Sequence, residues 1–310
     1  MAWADLSDVR LYYEIIGEGE PLLLIPGLGA TCRLWDPVIP DLARHFTLIL
    51  LDNRDVGRSV RKARKPAPNL SYLASDVAEL MDELQLDRCH VMGVSLGGAI
   101  AQRFATEHRS RLDRLVLVSC TDKFSPYLWQ IAGLLGQTLR RLPKEAFVRM
   151  MEVLGTAPEY LDENAELCEQ RAVAKARLKI PARAIGNQLK ALARSELGEN
   201  NEIITAPTLV IAGEFDAIIP SCYAKQMADK IPGSRYVLIR GAGHNPLADF
   251  PERAAPRVVQ FLKSKASEPV GWDQTQEGDS DDNVRHVPRE NGASAGSAIS
   301  RGATEVRVTG

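Results

Sequence analysis

The chain has 310 residues, 45% of them hydrophobic and 25% charged, with a formal net charge of −2. That composition builds a sizeable water-excluding core and argues against bulk attraction to nucleic acid or to a membrane surface. The five cysteines, Cys32, Cys89, Cys120, Cys168 and Cys222, are scattered and form no C-x-x-C pair, so neither a disulfide scaffold nor a metal site is expected.

The first twenty residues read as a hairpin, with Val9 to Ile16 as its second strand and Gly17-Glu18-Gly19 as the exit turn. Bare apolar runs of the kind a doubly buried strand needs follow at 21–26, 46–51, 88–94, 112–120, 208–212 and 235–239. Helical patterns lie between them at 35–45, 69–86, 96–108, 222–231 and 251–263. Pro256 inside the last predicts a late start or a kink. Strand alternating with helix predicts an α/β fold: a mostly parallel eight-stranded sheet with helices on both faces.

From 122 to 204 the alternation stops and several helices follow one another, roughly at 127–141, 144–154, 164–178 and 181–197. The expected organisation is a core of 1–121 and 205–267, a helical cap of 122–204, and a tail of 268–310. The tail carries eight acidic and four basic side chains and few large apolar ones, so disorder is expected there. No apolar run spans a bilayer and no basic-then-apolar leader follows Met1, so the expectation is a cytoplasmic protein without stable membrane association.

The most informative stretch is Gly93-Val94-Ser95-Leu96-Gly97, with an apolar strand before it and a small-residue helix after it. A sharp strand-to-helix turn lifts a serine out of the sheet, and the crowding it causes leaves room only for glycine on either side. Ser95 then needs a base. His45 and His108 end predicted helices, His90 lies in the strand before the turn, and His286 lies in the tail. His244, in Gly241-Ala242-Gly243-His244-Asn245-Pro246, follows the final strand and is the expected base.

An orienting carboxylate fixes the tautomer of such a histidine. Asp216 follows the 208–212 strand and is the first choice; Asp122, which follows the 112–120 strand, is its rival. Glu214 is expected to be structural or solvated. The order Ser95, Asp216, His244 fits this architecture. The backbone N–H groups of Leu96 and of Leu28, in the turn Gly27-Leu28-Gly29-Ala30, are the expected oxyanion donors.

On these residues the chain resembles the α/β-hydrolase superfamily from about residue 9 to residue 265. It is similar to the cap-bearing branch that includes carboxylesterases, enol-lactonases and cofactor-free haloperoxidase-like esterases. The resemblance implies the same triad and oxyanion donors and no cofactor. Asp52-Asn53-Arg54-Asp55-Val56-Gly57-Arg58-Ser59 matches the family's Asp-x-Arg-Gly-x-Gly-x-Ser loop with Asp55 in place of the first glycine, where it is expected to pair with Arg54 or Arg58. Pro26-Gly27 stands where the family commonly has His-Gly.

Serine at the turn suits acyl chemistry on a small-molecule ester, lactone or thioester. Acyl transfer, perhydrolysis and ligand reception without turnover stay open as alternatives. Phe124, Tyr127 and Trp129 are expected to line the acyl pocket. From Arg171 to Arg194 there are seven basic residues and no acidic one, a solvated lid surface or the attractor of an anionic substrate.

Overall fold

The computed structural model describes residues 2–62, 69–178, 180–195 and 200–264. The chain divides into two units; the described residues lie in Met1–Glu268, and the second, Pro269–Gly310, with the expected disordered tail, falls outside them.

The strands are β1 (Ala2–Asp5), β2 (Val9–Ile16), β3 (Glu20–Ile25), β4 (Phe46–Leu51), β5 (Val60–Arg61), β6 (Cys89–Val94), β7 (Leu112–Val118), β8 (Thr208–Gly213) and β9 (Arg235–Ile239). They form one sheet in the order β1-β2-β4-β3-β6-β7-β8-β9, with the two-residue β5 added on β2. Among the described residues that makes nine strands: the expected eight and the two-residue β5. β2 runs antiparallel to β1, β4 and β5, and every pair from β4 to β9 is parallel.

Burial of alternate residues on opposite faces divides the core in two. Leu23, Ile25 and Val91 pack on one side beneath α2 (Leu70–Glu83), α3 (Leu96–Glu107) and α9 (Ser221–Lys230). Leu22, Leu24 and Met92 pack on the other against Trp35, α1 (Ile39–Leu42), α10 (Pro246–Asp249) and α11 (Pro251–Lys263). α2 starts where Asn69 accepts the Tyr72 N–H at 2.9 Å, an N-cap.

Five helices lie between β7 and β8: α4 (Pro126–Arg141), α5 (Lys144–Gly155), α6 (Pro158–Glu163), α7 (Ala165–Arg177) and α8 (Ala182–Arg194). They belong to the same unit as the sheet. α6 was not expected, although Pro158 at its first position is a helix-start signal. Two local expectations also change. The helix expected at 35–45 resolves into a 3-10 turn, Cys32–Trp35, and the short α1, because Pro37 and Pro40 interrupt it. Conversely, α11 runs through Pro256 from its start at Pro251, held by the buried Ala254, Ala255, Val258, Phe261 and Leu262.

His90, on β6, is buried beside Phe46, with Glu20 3.3 Å from Nε2. Burial lowers its pKa from the ordinary 6.5, the Glu20 contact opposing. The folded state therefore binds fewer protons than the unfolded one below pH 6.5. The stability this group lends is complete above that pH and is lost as pH falls from there towards the folded-state pKa. The drop in Tm between pH 7.5 and 5.5 should accordingly be smaller in His90→Gln than in the wild type; equal drops would rule His90 out as a source.

Candidate active site

β3 and β6 are adjacent and parallel, with Ile25 opposite Gly93. Chain order reverses here, since β4 lies beyond β3 on one side and β7 beyond β6 on the other. A crevice at the carboxyl ends of such strands is where open α/β sheets place their ligands. The loops leaving β3 and β6 are the two expected to carry the oxyanion turn and the serine.

At the end of β6 the chain turns into α3 through Ser95, at φ 54° and ψ −116°. A side chain at positive φ is strained and needs surroundings that over-determine it. Those surroundings are backbone. A Cβ on Gly93 would sit 2.2 Å from Gly97 O, and one on Gly97 would sit 2.0 Å from Ile25 O. The Ser95 N–H is tied to Val118 O at 2.9 Å. α3 begins at Leu96, so that residue's N–H is one of the free donors of a helix start.

The β3 exit lies against the same turn: a Cβ on Gly27 would be 3.3 Å from Val94 O and 3.5 Å from Ser95 Cβ. Gly27 to Ala30 form a tight turn closed by Ala30 N–H to Gly27 O at 3.2 Å, with Gly29 at φ 63°. Gly29 N–H donates to Gln188 Oε1 at 2.8 Å. Neither bond engages the Leu28 N–H.

Asp216 and His244 meet on the loops after β8 and β9. Glu214 N–H bonds Ile239 O, Phe215 N–H bonds Ala242 O, and a Cβ on Gly213 would sit 1.9 Å from Gly243 O. Glu214 accepts the Gly241 N–H, a structural role as expected. Asp216, 4% exposed, accepts the Ile218 and Ile219 N–H groups on Oδ1 at 2.9 and 2.8 Å. Its Oδ2 lies 2.7 Å from His244 Nδ1. An ionised carboxylate only accepts, so Nδ1 carries the proton and Nε2 of a neutral ring is left as the acceptor. The His244 N–H in turn donates to Gly155 O at the end of α5 at 2.7 Å.

Asp122 is bonded to Lys230 of α9 and not to His244, so the structure gives the rival carboxylate a different partner. Ser95 Oγ has no hydrogen-bond partner among the described residues, His244 included. Such bonds are commonly long in unliganded enzymes and tighten with substrate.

Ser95, Leu96 and Leu28 open onto a cavity of about 70 Å³. Its other walls are Leu128, Ile131 and Leu135 of α4, Leu189 and Leu192 of α8, and Ile218 and Ile219 beside Asp216. Among the described residues no charged side chain lines it. Cys120 does, but burial, helped by the charge of Asp122, raises its pKa far above the ordinary thiol range, so it stays protonated. Of the three aromatic residues expected here, only Phe124 reaches the wall. Tyr127 and Trp129 are 40% and 49% exposed; Tyr127 bonds Ala217 O, and Trp129 packs behind Phe124 at 4.9 Å. Helical period puts Leu128 and Ile131 inward, and therefore Tyr127 and Trp129 outward.

Two residues of the basic stretch, Arg171 and Lys175, are tied to other helices and do not line the cavity. Arg171 donates to Asp249 Oδ1 and Ala248 O at 3.1 and 2.7 Å, and Lys175 pairs with Glu152 at 2.5 Å. Lys179 lies outside the described residues. Asp55 stands at φ 66°, where the family pattern has glycine, and pairs with Arg61 rather than with Arg54 or Arg58. Arg54 binds Asp76, while Arg58 bonds Tyr12 and Glu14. Among the described residues no cluster could hold a metal ion, and no helix is long and apolar enough to cross a membrane.

The crowding at the turn gives a testable asymmetry among the glycines. Gly97→Ala should destabilise by about 3 kcal/mol or more in urea unfolding, because backbone must move. Gly133→Ala, inside α4 with nothing within 4 Å of the added methyl, should stabilise by about 0.5–1 kcal/mol. Tolerance of alanine at 97 would contradict the packing described.

The model of the α/β hydrolase fold family matches residues 20–251. The "Putative carbamate hydrolase RutD" of Caulobacter sp. (strain K31) is 26% identical over 261 residues, 83% of this chain and 97% of that protein. Among solved structures, a hydrolase from Pseudomonas aeruginosa PA01 superposes with a TM-score of 0.76 at 29% identity, covering 85% of this chain and 98% of its own. A thermophilic esterase from Thermogutta terrifontis gives 0.74 at 27% identity, covering 84% and 95%. The chain belongs to the α/β-hydrolase fold family and is a hydrolase.

Proposed function

We propose that the protein hydrolyses carboxylic esters or lactones with an uncharged aliphatic acyl group, through an acyl-enzyme on Ser95. The observation that carries this reading is the Asp216–His244 bond of 2.7 Å, with Ile218 and Ile219 next to Asp216 lining the same aliphatic cavity as the strained Ser95. Ser95 Oγ attacks the carbonyl carbon while His244 Nε2 takes its proton. The Leu28 and Leu96 N–H groups hold the oxyanion. His244 passes the proton to the leaving alcohol oxygen as the C–O bond breaks. Water, deprotonated by His244, then attacks the acyl-enzyme and releases the acid. Asp216 keeps Nδ1 protonated and stabilises the imidazolium.

The helices α4 and α8 serve in this reading as a cap that supplies most of the acyl wall. An uncharged wall disfavours a substrate with a carboxylate or other charge next to the scissile bond, since an ion left there has no counter-charge. The apolar wall thus supports a neutral aliphatic acyl group over the anionic substrates that the basic stretch suggests.

Three experiments test the reading. Ser95→Ala should lose fluorophosphonate labelling and p-nitrophenyl butyrate turnover while remaining folded. Asp216→Asn should lower kcat by about 10³–10⁴-fold, and Asp122→Asn should keep it within about threefold because it acts on stability alone; the reverse order would reassign the acid. In a substrate panel, neutral short-chain esters should exceed a carbamate and a carboxylate-bearing ester by about tenfold or more in kcat/KM. Preference for either polar substrate would overturn the acyl assignment.

A further inference from the structure

One face of α8 carries Ile185, Leu189 and Leu192 at helical spacing, two of them in the cavity wall. Gln188 lies within this apolar stripe and is 1% exposed. An amide there is unusual, because burial penalises every polar atom left without a partner. Gln188 Oε1 accepts the Gly29 N–H at 2.8 Å, across 159 residues of chain. That donor fixes which way the amide faces, since the NH2 group could not take its place. Nε2 is buried and finds no acceptor among the described residues. A leucine or methionine would fill the site without that penalty, so packing alone does not account for the glutamine.

Gly29 is the residue after Leu28, the proposed oxyanion donor. It sits at φ 63°, and a Cβ there would be 3.1 Å from Ile185, so α8 touches the turn with an apolar and a polar side chain at once. The turn's own closure is a single bond, Ala30 N–H to Gly27 O. Rotating the Leu28–Gly29 peptide would break the Gln188 contact and swing the neighbouring backbone with it.

We propose that Gln188 is a positioning residue for the oxyanion turn: it anchors Gly29 N–H so that Leu28 N–H stays aimed at the developing oxyanion. This rests on the acyl-enzyme reading of the site. It also makes the hole complete only when α8 is seated, so that the helix walling the acyl group also sets the catalytic geometry. The effect belongs to the transition state, where the charge develops, and not to ground-state binding.

The test uses the full chain, p-nitrophenyl butyrate as substrate and an alkyl trifluoromethyl ketone as inhibitor, whose adduct with serine carries an oxyanion. Gln188→Met, close in volume, should lower kcat by about 10–100-fold with KM within about threefold, and weaken the ketone by the same factor as kcat. Ala191→Gly, a buried position on the same helix away from the turn, should lower Tm and leave kcat within about threefold. Unchanged kcat in Gln188→Met, a loss confined to KM, or an equal kcat loss in Ala191→Gly would each overturn the proposal. Amide hydrogen exchange on the wild type is independent of any variant. The Gly29 amide should be protected without inhibitor and the Leu28 amide only with the ketone bound; fast exchange at Gly29 would overturn the anchor. A wild type that turns over no acyl ester would defeat the reading of the site itself, whereas full activity in Gln188→Met defeats this inference alone.

Discussion

The site depends on how closely three stretches of backbone approach one another at the end of β6. Gly93 lies against Gly97, Gly97 lies against Ile25 O, and Gly27 lies against Ser95. The first two approaches admit no methyl group without moving backbone, while the third is ordinary van der Waals contact. The positive φ of Ser95 follows from that crowding, because the chain leaves a buried strand and enters a buried helix within one residue. The strain is sustained by the sheet on one side and α3 on the other, both deep in the core. The same packing brings the β3 turn beside the serine, so the proposed nucleophile and the proposed oxyanion donors are positioned together.

Asp216 and His244 obey a looser constraint, with the β8 and β9 exits held together by the Gly213–Gly243 approach. Asp216 is locked by two backbone donors, which leaves one carboxylate oxygen for His244. Its competitor, Asp122, is neutralised by a lysine reaching in from α9. Two carboxylates at neighbouring strand ends thus differ by what their surroundings offer: a histidine in one case, an ammonium group in the other.

Most of the sheet was legible in the chain because strands buried on both faces must be apolar throughout, and a parallel sheet needs helices between them. The serine turn was legible because its sterics demand glycine at fixed offsets. The Asp216–His244 pairing followed from chain order alone. What escaped had its cause in tertiary contacts. β5 is two residues long, below any periodic signal. Whether Tyr127 or Leu128 faces the cavity depends on the rotation of α4 over the sheet, which is set by contacts distant in sequence. Arg171 and Lys175 of α7 read as a free surface until their partners, Asp249 and Glu152, came from other helices. Gln188 left a trace, a lone amide in an apolar stripe, but its partner lies 159 residues away.

The bond from His244 N–H to Gly155 O, with Gly243 pressed against residues 155 to 157, bears on how this protein can be recombined. A chimera that exchanges helices between β7 and β8 would ordinarily be cut at those two strands, treating the inserted segment as a removable part. Here the insert carries a carbonyl on which the histidine loop leans. A graft must bring a chain segment that reproduces residues 155 to 157, or be redesigned together with the loop at 241–246.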